Sequence, residues 1–126
     1  MKEQLKKVEQ FANSFNIPVN ENPTEKIPIN RKVLRYDLMK EENEEYLIAA
    51  INNNKIEIAD ALGDMLYILC GTILEHGMQH KIEEVFKEIH RSNMSKLDEN
   101  GNPIYREDGK ILKGENYFKP DLGKFF

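Results

Sequence analysis

Residues 56 to 75 open as a carboxylate-bearing helix and close as an almost wholly apolar one. Glu57, Asp60 and Asp64 recur at spacings of three and four, which sets them on one helical face. Met65-Leu66-Tyr67-Ile68-Leu69-Cys70 follows without a break. A helix that is apolar all round cannot be covered by a single neighbour. It belongs at the centre of a bundle, and it suits contact with a second subunit. The preceding helical stretch carries Glu41, Glu42 and Glu45 at the same spacings. Like charges stacked in this way repel unless they are fully solvated or a cation neutralises them. Acids at the mouth of an apolar helix are not fully solvated. Donors that are all oxygen match a hard cation, Mg²⁺ with Mn²⁺ as a substitute.

The rest of the chain supplies partners for that central helix. Leu5, Val8, Phe11, Ala12 and Phe15 form a stripe of helical period over residues 2 to 15. Pro18, Pro23 and Pro28 mark a loop, and Asn30 is the expected N-cap of a helix over 31 to 51. Asn52-Asn53-Asn54 makes a short turn, and Gly77 suits the position just past the end of the third helix. A fourth helix is predicted over 79 to 94, with Ile82, Val85, Phe86 and Ile89 inward. The expected fold is all-α, a four-to-five-helix antiparallel bundle occupying about 2–96 of a single domain, 1–126. Beyond it, Ile104-Tyr105-Arg106 and Lys110-Ile111-Leu112 flank Glu107-Asp108-Gly109, the signal of a small C-terminal β-hairpin. An irregular tail ends the 97–126 stretch. Asp98-x-Asn100-x-Asn102 has the opening rhythm of a calcium loop, but Gly109 stands where the closing glutamate would be, so it reads as a turn.

Charge is unevenly placed. Residues 40 to 86 hold ten acids against three bases, whereas the chain as a whole carries a net charge of −4. A general nucleic-acid surface needs a basic stripe, so no nucleic-acid partner is expected. An acidic centre with basic flanks suits a cation and a phosphorylated ligand. No apolar run is long enough to span a bilayer, no membrane partner is expected, and no secretion signal opens the chain. The expected location is cytoplasmic. Cys70 lies inside the apolar run and reads as a small hydrophobe. With a divalent cation and a phosphorylated ligand, the reaction class that follows is metal-assisted hydrolysis.

Glu41-Glu42-x-x-Glu45, eleven intervening residues and Glu57-x-x-Asp60 resemble the EExxE…ExxD signature of the all-α nucleoside triphosphate pyrophosphohydrolases. These are the MazG-like enzymes, related to phosphoribosyl-ATP pyrophosphohydrolase and to the dimeric dUTPases. Asp64-Met65-Leu66-Tyr67 resembles the superfamily's "DLLY" stretch. His90-Arg91-Ser92-Asn93-Met94-Ser95-Lys96, with Lys113-Gly114 and Lys119-Pro120-Asp121-Leu122, is similar to a short single-domain branch. The resemblance runs from Phe11 to Leu122.

The resemblance implies cleavage between the α- and β-phosphates, giving a nucleoside monophosphate and pyrophosphate. It makes Glu42 and Glu45 metal ligands and Glu41 a ligand or the base that activates water. On the third helix it leaves Glu57, Asp60 and Asp64 as candidate ligands. The glutamate that many relatives place three residues before "DLLY" is Ala61 here, and Asp60 plus at least one other is the expected set. Asn93 and Lys96 correspond to phosphate- and nucleotide-contacting positions, with Arg91 and Lys113 further candidates. Phe11, Phe15, Tyr67 and Asn93 are the expected pocket walls, dUTP the first substrate to try, and a homodimer the expected assembly. Two other readings stay open: phosphoribosyl-ATP pyrophosphohydrolase, and a non-catalytic helical interaction module.

Overall fold

The computed structural model describes Met1–Phe126, an all-α chain with four helices and no sheet. The helices are α1 (Lys2–Ser14), α2 (Ile29–Ile51), α3 (Lys55–Glu75) and α4 (Ile82–Met94). The chain divides into two compact units, Met1–His80 and Lys81–Phe126.

In the first unit the asparagine turn works as its chemistry dictates. Asn53 takes the left-handed conformation at φ 52°, which asparagine tolerates better than most residues. Asn54 then caps α3, its side-chain oxygen accepting the backbone N–H of Glu57 at 3.2 Å. A turn this short makes α2 and α3 antiparallel neighbours. Arg31 near the start of α2 pairs with Glu75 at the end of α3, which confirms the direction. Helix α1 packs against α3 as well, burying Leu5, Val8 and Ala12. Ala61, Cys70, Ile73 and Leu74 are the deeply buried apolar side chains of α3, so this helix is indeed central. Burial pushes the Cys70 thiol up from its usual range, as expected of a packing residue rather than a nucleophile.

Helix α3 ends in a paired-bond motif. The Gly77 N–H donates to Leu74 O at 3.1 Å and the Met78 N–H to Ile73 O at 2.9 Å. Gly77 has φ +66°, and a Cβ there would run into the backbone carbonyl of Asn22. The loop after α1 is laced to this helix end: Asn20 N donates to Leu74 O at 2.9 Å, and Thr24 N to His76 O at 2.9 Å. Gly77→Ala therefore combines left-handed strain with a backbone collision that no rotamer relieves. It should destabilise the protein by at least about 2 kcal/mol, read as a lowered urea midpoint. An unchanged midpoint would mean that the loop is free to move away.

Three expectations need correction. Helix α2 starts at Ile29 with Pro28 as its N-cap and no side-chain cap, so Asn30 lies inside the helix. The Pro28 carbonyl accepts from both Arg31 N (2.9 Å) and Lys32 N (3.1 Å), and the ring's fixed φ of −55° orients it. Helix α4 starts at Ile82 rather than at Gln79, which lies in a turn and donates its side-chain amide to the Asn20 carbonyl at 2.9 Å. The predicted C-terminal β-hairpin is one antiparallel bridge, Tyr105 to Ile111, without strands. The turn chemistry is present: Arg106 N donates to Lys110 O at 2.8 Å, and Gly109 has φ +86°. Two short arms with Tyr105 and Ile111 left exposed have no third strand to pack on, and an isolated pair is marginal. Asp98 closes the preceding turn by accepting Asn100 N at 2.9 Å and Asn102 N at 2.7 Å.

In the second unit the tail docks on α4 through polar contacts. Ser92 donates to Phe118 O at 2.8 Å, and Phe118 N donates to Ser95 Oγ at 3.2 Å. Glu88 is buried, and it accepts from both arms of Arg91 (3.0 and 2.9 Å), from Asp121 N (3.0 Å) and from Lys124 (3.3 Å). These donors, Arg91 foremost, hold its carboxyl down at about 2.

Candidate active site

The α2–α3 pairing decides which acids meet. Arg31 and Arg35 engage Glu75, Thr72 and Ile68 at one end of the helix pair. Further along, Glu42 comes under the charge of Asp64 on α3, together with Glu45 and Glu41 on its own helix. One Glu42 oxygen, Oε2, is closed off from solvent and has no hydrogen-bond partner. Burial is the largest influence on this carboxyl and the neighbouring Glu45 the next; together with Asp64 and Glu41 they push its pKa up to about 7. A buried carboxylate oxygen without a donor is costly to leave unmatched.

The other acids stand differently. Asp60 is one turn, and Glu57 two turns, before Asp64 on the same stripe; both are exposed, as Asp64 itself is, but neither is among the charges bearing on Glu42. Glu57 occupies the first turn of α3, where its own N–H is taken by the Asn54 cap. Ala61 is only 1% exposed, so the position where relatives carry a glutamate is here a packing position. With these side-chain positions no group of three His, Cys, Asp or Glu residues is drawn together as a chelate. The acids whose charge reaches Glu42 are Glu45, Asp64 and Glu41. The donor chemistry fits a hard cation: oxygen only, and including one orphaned buried oxygen.

A pH consequence follows for the metal-free protein. Glu42 ordinarily titrates near 4.5 and is raised to about 7 in the fold, so the native state holds the proton more tightly than the unfolded chain. Stability should therefore fall as pH rises from 4.5 to 7, and Glu42→Gln should flatten that slope. Urea denaturation across this range in the presence of chelator is the check, and parallel slopes in the two proteins would refute it.

The basic candidates lie in the second unit. Asn93 is exposed at the end of α4, and Lys96 is half-buried just beyond it. Arg91 is engaged by Glu88 and lies over the Phe118 ring at 4.3 Å, which gives it a structural task. The Lys113 ammonium lies over the Tyr117 ring at 4.7 Å. Back in the first unit, Phe11 lies 4.5 Å from Phe15 and meets Tyr67 edge-on at 5.5 Å, all three rings well exposed.

Sequence reasoning missed the charged cluster at the far end of the helix pair. Glu75 is fully buried, accepts from Arg31 through both oxygens, and lies 3.9 Å from Arg35. The available signal was a glutamate closing an apolar run, with two arginines four residues apart on the partner helix.

The phosphoribosyl-ATP pyrophosphohydrolase family matches residues 8–93, a span that takes in both acidic stripes and every helix pairing around them. The chain belongs to that family. It is a hydrolase of nucleotide pyrophosphate bonds, within the all-α NTP pyrophosphohydrolase superfamily. A solved structure from an Exiguobacterium species, provisionally described as an NTP pyrophosphohydrolase, aligns at 25% identity and a TM-score of 0.48. That alignment covers 97% of this chain and 92% of the other. No curated protein sequence matches. In this family member the match ends at residue 93, so Lys96 and Lys113 fall outside it. No helix is long and apolar enough to cross a membrane.

Proposed function

We propose that this chain is a Mg²⁺-dependent nucleoside triphosphate pyrophosphohydrolase, cleaving the α–β bond to release a monophosphate and pyrophosphate. The observation that carries the reading is the buried, donorless oxygen of Glu42 under the charge of Glu45, Asp64 and Glu41. Glu42, Glu45 and Asp64 would hold the cation, with Asp60 and Glu57 further along the α3 stripe. A divalent cation bound there would polarise phosphoryl oxygens and promote attack by water. Glu41, next to Glu42 in the chain and exposed, would take the proton from water. Asn93 and Lys96 are the proposed phosphate contacts, lysine offsetting charge on departing pyrophosphate. Lys113 is a secondary candidate, and Arg91 serves mainly to hold Glu88. The exposed rings of Phe11, Phe15 and Tyr67 offer a face for a base, and dUTP is the first substrate to try.

A second copy of the chain is the proposed partner. Leu62, Leu66 and Leu69 fall on one stripe of α3 and remain 49%, 40% and 44% exposed, although they belong to the most apolar helix. Such a stripe suits a helix–helix contact between protomers. Sedimentation of wild type against Leu66→Glu tests this, with dissociation of the variant expected and an unchanged profile refuting it.

The family match favours one other reading, phosphoribosyl-ATP as the substrate. The deciding experiment is product analysis with Mg²⁺ on a panel of ribo- and deoxynucleoside triphosphates, dUTP and phosphoribosyl-ATP. Monophosphate plus pyrophosphate from a triphosphate supports the first reading. Turnover of phosphoribosyl-ATP alone replaces it with the second. Orthophosphate release would overturn the bond assignment.

A further inference from the structure

Arg35 joins the two helices that carry the acids. Its side chain is only 10% exposed. Nε donates to Thr72 Oγ1 at 3.0 Å, and Nη2 donates to the backbone carbonyl of Ile68 at 2.8 Å. Thr72 Oγ1 donates to the same carbonyl at 3.0 Å, closing a small ring of bonds on the surface of α3. Gly71 makes the approach possible: a Cβ there would lie 2.6 Å from Arg35 Nη2. Guanidinium and helix backbone are in contact because one side chain is missing.

The placement relates this clamp to the acids. Glu42 is seven residues beyond Arg35 on α2, two turns along the same face, and Ile68 is one turn beyond Asp64 on α3. The charges of Glu45, Asp64 and Glu41 bear on Glu42 along α2 and across the α2–α3 contact, a repulsion that works against close approach of the two helices there. A rigid fork fixed to both helices within two turns of the acids opposes the separation. Lysine in its place would keep the charge and lose the two-pronged geometry. Arg31 cannot substitute, because its guanidinium is committed to Glu75 a turn further from the acids.

We infer that Arg35, seated on Gly71 and bonded to Thr72 and Ile68, is a positioning residue that presets the spacing of the carboxylates for a divalent cation. The inference rests on the reading that these acids hold the cation. Outer supports of metal ligands typically change metal affinity by about 10–100-fold when they are removed. Arg35→Lys and Gly71→Ala should each weaken Mn²⁺ binding by at least roughly tenfold. Thr72→Val, which removes one bond of the ring, should have a smaller effect in the same direction.

The test is Mn²⁺ titration calorimetry on the full chain, well below each variant's melting temperature, with Val8→Ala as a destabilised control remote from the clamp. Weakened Mn²⁺ binding in Arg35→Lys and Gly71→Ala, with wild-type affinity in Val8→Ala, supports the inference. Wild-type affinity in the clamp variants overturns it, even if they melt earlier, because the role is then only structural. An equal loss in Val8→Ala overturns it too. Should either main variant fail to fold, Thr72→Val decides alone, and wild-type affinity there counts against the clamp. Wild type that binds no Mn²⁺ overturns the cation reading itself, a result seen before any variant is examined.

Discussion

Glu75→Gln should lose about 3–5 kcal/mol of stability, the cost of removing one partner from a buried ion pair. Glu75 has none of its surface exposed, and its two oxygens accept from Arg31 while Arg35 lies 3.9 Å away. The carboxylate raises the Arg31 guanidinium above its ordinary value, whereas burial lowers that of Arg35. Neutralising Glu75 leaves both cations near the protein interior with no counter-charge. A glutamine retains one acceptor, so the helix end survives while the electrostatic match is lost. Replacing Arg31 and Glu75 together by methionine should recover part of the loss, because a packed apolar pair avoids the desolvation of two ions. Urea denaturation of the single and double variants measures both effects. A single-variant loss below about 1 kcal/mol would show that solvent screens the cluster as it screens surface pairs.

Asp64→Asn should lower kcat by roughly 10²–10⁴-fold, equivalent to several kcal/mol of lost Lewis-acid stabilisation, with the helical fold retained. Asp64 is the α3 acid whose charge reaches Glu42, which is why its loss is expected to be the most severe on that helix. Glu42→Gln is expected to match it in severity. Asp60→Asn, one turn away on the exposed stripe, should follow, and Glu57→Gln in the first turn of α3 should be mildest. Steady-state rates at saturating Mg²⁺, paired with far-ultraviolet circular dichroism, give the ranking. Equal losses at Glu57 and Asp64 would move the centre of the site toward the start of α3.

The ranking separates what a linear reading supplies from what it does not. Periodicity finds α1, α2 and α3 because each carries a long apolar stripe, and capping chemistry finds the Asn54 start and the Gly77 stop. It also groups Glu57, Asp60 and Asp64, since spacing on one helix is a local property. Which of them meets Glu42 depends on how α2 slides against α3, and that is set by Arg31 and Arg35 gripping residues far along the chain. The same non-local dependence hides Glu75, whose burial needs two arginines forty or more residues earlier. Around Gly109 the error runs the other way. The local turn signals are real, yet a sheet requires neighbours that Tyr105 and Ile111 lack.

The Lys81–Phe126 unit differs from the helical unit in what it buries: its buried side chains are Glu88 and Ser92, with no apolar residue among them. Its opening thus solvates a carboxylate together with hydroxyl and backbone groups, and only half-buried apolar side chains such as Tyr117, Leu122 and Phe125. Exposing polar surface lowers heat capacity where exposing apolar surface raises it. Release of the tail from α4 should therefore give a small heat-capacity change, while amide exchange registers it clearly as a local event below the global unfolding barrier. Because Glu88 gives up its charge only near pH 2, that tether should hold in neutral and mildly acidic solution and let go only as the pH falls through 4.5 toward 2.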